Sequence, residues 1–382
     1  MPLRIFHNIH RVFKIRSELE EVYINLVMQS FSIALIGIFI PIFLLKVGFS
    51  LNLVIVYMII TWTSFSVFIP VSAKMSSMLG VKHTILLSVP VLILFFLLLL
   101  VIPGINPDFL YMVGIAYGIQ QAMYWIPLHS EFIKNTDKIH ENEEIGNLIA
   151  LPKIAAIIAP IIGALILQNL GFNFLFIIVI FLLILSVWPL FLTNDYKGNF
   201  RFKLKDIEFG LERNLSLGYL LNGILFISEA LMWPVFIYEK FGNLLYIGIA
   251  TAVCGVGIAI FTLFIGRFGK RFNHRRLLWI GALIYSVTWF ARLFVTTAME
   301  VFLLSFLGGM FATIIHLTMY VSFTGFARKR NEVACNVYRE FWLSVGRISS
   351  LVFLFFVIHK FIFAFLLAGF VSIFYLFVRL NR

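Results

Sequence analysis

Charge is what this sequence has least of. Only 13% of its 382 residues are charged, about half of what a soluble chain carries. Acidic residues are scarcest, 18 against 30 lysines and arginines. Cysteine is nearly absent, and the two present, Cys254 and Cys335, allow neither a disulfide framework nor a metal site. No phosphate-binding Gly-rich loop, no Gly-x-Ser-x-Gly, no His-Glu-x-x-His and no dinucleotide fingerprint occurs in a fitting context. These absences leave no expected cofactor, no metal, no ATP-driven step within this chain and no enzyme. No cleavable leader is evident at the start of the sequence either.

What fills the chain is apolar sequence, 61% of all residues, in runs of membrane length. A crossing takes about 20 apolar residues for about 30 Å of hydrocarbon. By that ruler the first half is predicted to cross at 24–45, 51–73, 82–102, 109–130, 145–168 and 171–192. The second half follows at 215–238, 244–266, 277–297, 300–325, 334–357 and 361–379. The expected fold is an all-α membrane protein of twelve transmembrane helices in two pseudo-symmetric six-helix bundles. An N-terminal bundle would span 23–192 and a C-terminal bundle 215–382, with residues 193–214 as a polar linker.

The net charge of +12 would suggest nucleic acid in a soluble protein, but its distribution does not. Basic residues gather in alternate loops: Arg4 to Arg16, Lys74 and Lys82, Lys134 and Lys138, then Lys197 to Arg213. Arg267 to Arg276, Arg328 to Arg330, Arg379 and Arg382 continue the series. The opposite loops hold only Lys46, Lys240 and Lys360. Such alternation is the positive-inside rule, and it places both termini in the cytoplasm. A prokaryotic cytoplasmic membrane is the expected location, with no nucleic-acid partner. In residues 1–22, Ile5, Phe6, Ile9, Val12 and Phe13 interleave with basic residues, as in a helix lying on the membrane surface. Ser17 and Glu20 then read as a capping box opening the first span.

The halves also repeat. Pro41 in Gly-Ile-Phe-Ile-Pro-Ile-Phe returns as Pro234 in Ala-Leu-Met-Trp-Pro-Val-Phe, and the basic turn Ala73–His83 returns as Gly266–Arg276. Parallel repeats around a midplane cavity are one architecture of secondary transporters. In this topology and in its motifs the chain resembles the major facilitator superfamily. That family's loop between spans two and three reads Gly-x-x-x-Asp-Arg/Lys-x-Gly-Arg/Lys-Arg/Lys. The first copy here keeps Gly80 and Lys82, with Ser77 in place of the Asp. The second keeps Gly266, Arg271 and Arg275, with Lys270 at the Asp position and Asn273 at the second Gly. The resemblance implies that these residues serve as a cytoplasmic gate. In span five, Ala155 to Ala164 around Pro160 is similar to the motif of drug/proton antiporters, although small residues there also suit close helix packing.

Ionisable residues inside hydrocarbon cost at least about 2.5–3.5 kcal/mol and tend to pair or line a cavity. Lys153, Glu229 and Arg347 are predicted near span centres. Glu229 has two readings. It is a proton-coupling carboxylate, whose charged form burial disfavours, or it is one half of a fixed pair with Arg347. Arg347, always charged, follows Glu340 by two helical turns with Ser344 between them. Arg339 and Glu340 are expected to gate the cytoplasmic side. Arg292, toward the outer end of span nine, is expected to snorkel to the interface. Tyr117, Gln120, Gln121, Tyr124 and Trp125 form one polar-aromatic face of span four, read as cavity lining. Gln29, Asn222, Trp233, His316 and Tyr320 extend it, while His129 is expected in an exposed loop role.

These residues point to alternating-access transport of a small molecule. Proton-coupled efflux of an amphipathic organic compound by a monomer is the first reading. A symporter or uniporter for an anionic metabolite is the second, resting on Lys153 and Arg347. A non-transporting scaffold or lipid scramblase is the reading from another class.

Overall fold

The computed structural model describes residues 18–102, 107–135, 142–188, 202–207, 212–268, 274–327 and 330–378. Among them every regular element is helical. Nine segments are long and apolar enough to cross a membrane. This is an integral multi-pass membrane protein. The amphipathic stretch expected over 1–22, including Ser17 of the capping box, lies outside the described residues apart from the helical backbone that opens at Glu18. So does most of the linker.

The first span is not one helix. Helix α1 (Glu18–Ile36) gives way to a 3₁₀ turn at Gly37–Phe39 before α2 (Ile40–Val47) resumes. Proline has no N–H to donate and its ring presses on the preceding turn. Pro41 therefore sits at the opening of α2, where the lost donor costs least. Gly48, at φ 108°, then closes α2 in the left-handed conformation that glycine adopts without strain. The second half repeats the device. Helix α7 (Arg213–Ile227) passes through a π-helical turn at Ser228–Met232 into α8 (Trp233–Phe241), with Pro234 at its opening and left-handed Gly242 at its end.

Between these lie α3 (Leu51–Leu79), α4 (Val81–Val101), α5 (Phe109–Asn135) and α6 (Asn142–Val187). After them come α9 (Leu244–Phe268), α10 (His274–Ala291), α11 (Ala298–Ala327), α12 (Glu332–Phe356) and α13 (Lys360–Phe374). The expected fifth and sixth spans are joined in α6 with no loop between them. The chain reverses at a single residue, Gly171, whose φ of 81° and ψ of 178° no helix contains. Contacts with the first span establish the reversal. Gly163 backs onto the Leu35 carbonyl, Phe172 and Phe176 meet Phe43, and Ser186 meets Asn25 at the other end.

Helices α5 and α12, matching the predicted spans at 109–130 and 334–357, are not among the nine apolar segments. Composition explains this: α5 carries Gln120, Gln121 and His129, and α12 carries Arg339, Glu340 and Arg347. Both are shielded by neighbours, α5 by α3 and α12 by α7 and α3.

Small residues set the helix spacing, as they do where lipid supplies no hydrophobic drive for association. Gly118 of α5 lies on the Thr61 carbonyl of α3, and Gly223 of α7 and Gly346 of α12 bring those two backbones together. Two seams join the first and second halves of the sequence. At one, α6 packs on α9, where Gly248 meets Pro160 and Gly255 meets Ile157. At the other, α3 and α5 pack on α12, and Asn336 donates to the Ile126 carbonyl at 3.1 Å.

Candidate functional site

Among the described residues two charge clusters occupy the interior, and their pairing differs from the Glu229–Arg347 pair that is one of the two readings of the sequence. Glu229 lies in the π-helical turn before Pro234, an irregularity common at functional positions. Its partner is not Arg347. Arg292 Nη1 donates to Glu229 Oε2 at 2.9 Å and Nη2 to Oε1 at 3.2 Å, a planar fork matched to the carboxylate. The Tyr285 hydroxyl donates to Oε2 at 3.3 Å.

Arg292 does not snorkel to the interface as expected. Its side chain is 0% exposed. The guanidinium carbon lies 4.4 Å from the Trp233 ring centroid and 3.9 Å from that of Trp289, so the cation meets two indoles. The physical reason is local. The helix tightens to a 3₁₀ turn at Arg292–Phe294, and an acid with matching geometry lies inward, which outweighs a wet but unpaired position. Trp233, expected to line a cavity, is buried and donates from its indole to Ser305 at 3.0 Å.

The second cluster belongs to α12. Arg339 Nη2 donates to Glu340 Oε1 at 2.8 Å, while Arg347 Nη1 stands 3.7 Å from Glu340 Oε2, an ion pair without a hydrogen bond. The shared helix face of Glu340 and Arg347 is as the two-turn spacing requires. Arg347 is clasped by rings from both sequence halves. Trp62 of α3 lies 4.0 Å from its guanidinium carbon and Phe226 of α7 lies 4.8 Å away. Arg347 Nη1 and Nε have no hydrogen-bond partner among the described residues.

Span four presents its polar face beside this cluster. Gln121 receives the Trp125 indole N–H at 2.9 Å and donates to Gln120 at 2.8 Å. Trp125 stacks on His129 at 5.3 Å. His129 is half-buried on helix, not in an exposed loop, and lies within electrostatic reach of Arg339, Glu340 and Arg347. The Trp125–His129 spacing of one helical turn was the available signal. Tyr117 departs from this group and stacks on Phe95 of α4 at 4.4 Å.

Several other buried polar atoms have no partner among the described residues: both side-chain termini of Gln29, Nε2 of Gln120 and the hydroxyls of Tyr124 and Ser344. Unpaired groups of this kind are rare in native interiors and accompany sites that water or a ligand completes.

A separate cavity of about 320 Å³ opens beside Glu229, lined also by Phe226, Cys254, Tyr285 and His316. His316 of that lining pairs with Asn222 at 2.9 Å. Tyr320 is half-buried on the same helix as His316. Of the residues expected at the cytoplasmic gate, Lys82 is buried, Gly80 breaks the helix between α3 and α4 at φ 92°, and Arg275 covers the Trp279 ring at 4.7 Å. Gly266 is on α9, but Arg271 and the side chain of Lys153 lie outside the described residues.

By sequence, no protein-family model and no curated protein matches this chain. Solved structures do match by shape. The nucleoside transporter NupG superposes with a TM-score of 0.73 at 10% identity, covering 95% of this chain and 98% of that one. The chain has the major facilitator fold. The human organic anion transporter MFSD10 (TETRAN) shares it with a TM-score of 0.65 at 11% identity, covering 94% and 97% of the two chains. At such identities the likeness is of architecture, and the chemistry must come from this protein's own side chains.

Proposed function

We propose that this protein is a secondary transporter that carries a small organic anion across the membrane by alternating access. One observation carries the choice of solute: the Arg347 guanidinium, buried and clasped by Trp62 and Phe226, with donors left open. A cation that cannot be neutralised and is only partly answered by Glu340 favours an anionic group. The aromatic rings around it favour a solute with an apolar or aromatic body. An organic anion transporter with the same fold is consistent with that chemistry.

Two bundles, 23–192 and 215–382, would rock about this site, with the linker 193–214 and both termini in the cytoplasm. The seams α6–α9 and α3–α12 would part and close in turn, with Arg339 and Glu340 among the residues of the inner closure. A single chain is sufficient for this scheme.

A second reading, proton-coupled efflux of an amphipathic compound, has its own support. Glu229 keeps 29% of its side chain exposed and borders a cavity, as a group exchanging protons must. Its two hydrogen bonds to the buried Arg292 fit a fixed ion pair instead.

Thermal-shift screening of the purified protein against organic acids, neutral nucleosides and organic cations tests the proposal. Organic acids should stabilise the protein, and Arg347→Gln should abolish the shift. Stabilisation by cations alone, or by acids in the Arg347→Gln protein, would contradict it.

A further inference from the structure

Phe226 belongs to two places at once. Its ring centroid lies 4.8 Å from the Arg347 guanidinium and 5.4 Å from the Trp62 ring, and the same residue walls the cavity beside Glu229. It is 37% exposed and borders that cavity. The clasped cation and the cavity are therefore neighbours with one aromatic ring between them.

The cavity is built for a particular kind of occupant. Leu225, Ile258, Ala312 and Leu317 give it apolar walls, and its volume of about 320 Å³ is at the lower end of small-ligand pockets. Glu229 supplies its acidic group. A carboxylate offers about four acceptor sites, and Arg292 and Tyr285 occupy three. The charge is already answered by Arg292, and a second cation beside that guanidinium would be repelled. What the remaining site can take is a hydrogen bond from a neutral O–H or N–H.

We propose that this cavity is the subsite for the distal part of the transported anion. The acidic group sits at Arg347, an apolar chain or ring passes Phe226 into the cavity, and a terminal hydroxyl or N–H donates to Glu229. This placement rests on the anion reading above and adds the length, apolarity and far-end chemistry of the solute. Selectivity then comes from two anchors at a fixed spacing, of which Arg347 reads charge and Glu229 reads a donor.

Calorimetric titration of the full chain in nanodiscs, with empty nanodiscs subtracted, tests it using propionate, octanoate and 8-hydroxyoctanoate. The hydroxylated chain should bind tightest, at least about tenfold better than octanoate, the range of a hydrogen bond to a charged group. Ala312→Phe, which fills the cavity, should cancel that advantage, while Arg347→Gln should weaken all three acids. An undiminished advantage in Ala312→Phe with Arg347 dependence retained would overturn the subsite and leave the anion site standing. Binding indifferent to Arg347→Gln would overturn the anchor and the anion reading with it. Should Ala312→Phe not fold, Cys254 reports instead, since it lines the cavity. In a Cys335→Ser protein, 8-hydroxyoctanoate should slow maleimide labelling of Cys254 and propionate should not. Equal labelling rates with either acid would refute the placement.

Discussion

Arg292 reaches Glu229 with both terminal nitrogens, at 2.9 and 3.2 Å, from a position over the Trp233 and Trp289 rings. The pair joins the π-helical turn of span seven to the end of α10, and Gly308 of α11 leaves room for the guanidinium. A cation so enclosed cannot swing to water when its partner is removed.

That enclosure sets the first expectation. Arg292→Ala or Glu229→Ala should each destabilise the protein by about 3–5 kcal/mol, the cost of stranding one charge of a buried pair. Replacing both, as Glu229→Leu with Arg292→Met, should recover much of the loss. Thermal or denaturant unfolding of the four proteins in detergent measures this. A double replacement as unstable as the worse single one would show that the pair is not the coupled unit described.

Glu229→Gln separates coupling from positioning. If Glu229 moves protons during the cycle, the Gln protein should bind solute yet lose uphill transport and its pH dependence in proteoliposomes. If Glu229 only accepts hydrogen bonds, transport should keep its pH dependence with altered solute affinity and lower stability.

The helix contacts at Gly163 and Gly223 admit no side chain, since an added Cβ would run into the Leu35 and Leu343 carbonyls respectively. Gly163→Val and Gly223→Val should each lower stability by at least about 1–3 kcal/mol, as overpacking does. The same change at Gly325, where a Cβ would meet open space, should be nearly neutral. Comparing unfolding temperatures of the three variants decides whether backbone contact holds these helices.

Gln168 donates to Asn243 at 2.9 Å, bridging the two sequence halves at the end of the α6–α9 seam. With cysteines at these two positions in a protein lacking Cys254 and Cys335, a short bis-maleimide should link them and stop transport. Full activity of the linked protein would mean that this seam does not open during the cycle.

Reporter fusions at Arg382 and after Gly198 check the sidedness drawn from the basic loops. Cytoplasmic reporter activity is expected at both points, and activity of an exported reporter at either would reverse the topology.

The membrane character, the approximate spans and the repeated prolines of each half follow from the sequence alone, while the 3₁₀ and π turns before those prolines came only with the structure. Hydropathy is a property of contiguous residues, and proline disrupts a helix through its own ring and missing N–H. The spacing of Glu340 to Arg347 and of Trp125 to His129 is equally local, so those shared faces were legible from helical periodicity. The partner of Glu229 was not. Arg292 and Arg347 are both cations from other spans, and sequence position does not say which of them the fold places beside the acid. Only packing decided it, through the Trp233 and Trp289 rings beside Arg292 and the reversal of each helix against its neighbours. The same holds for the meeting of Trp62, Phe226 and Arg347, which are remote in sequence. Their common site exists because small residues let α3, α7 and α12 approach closely enough for their side chains to touch, a relation that no single helix encodes.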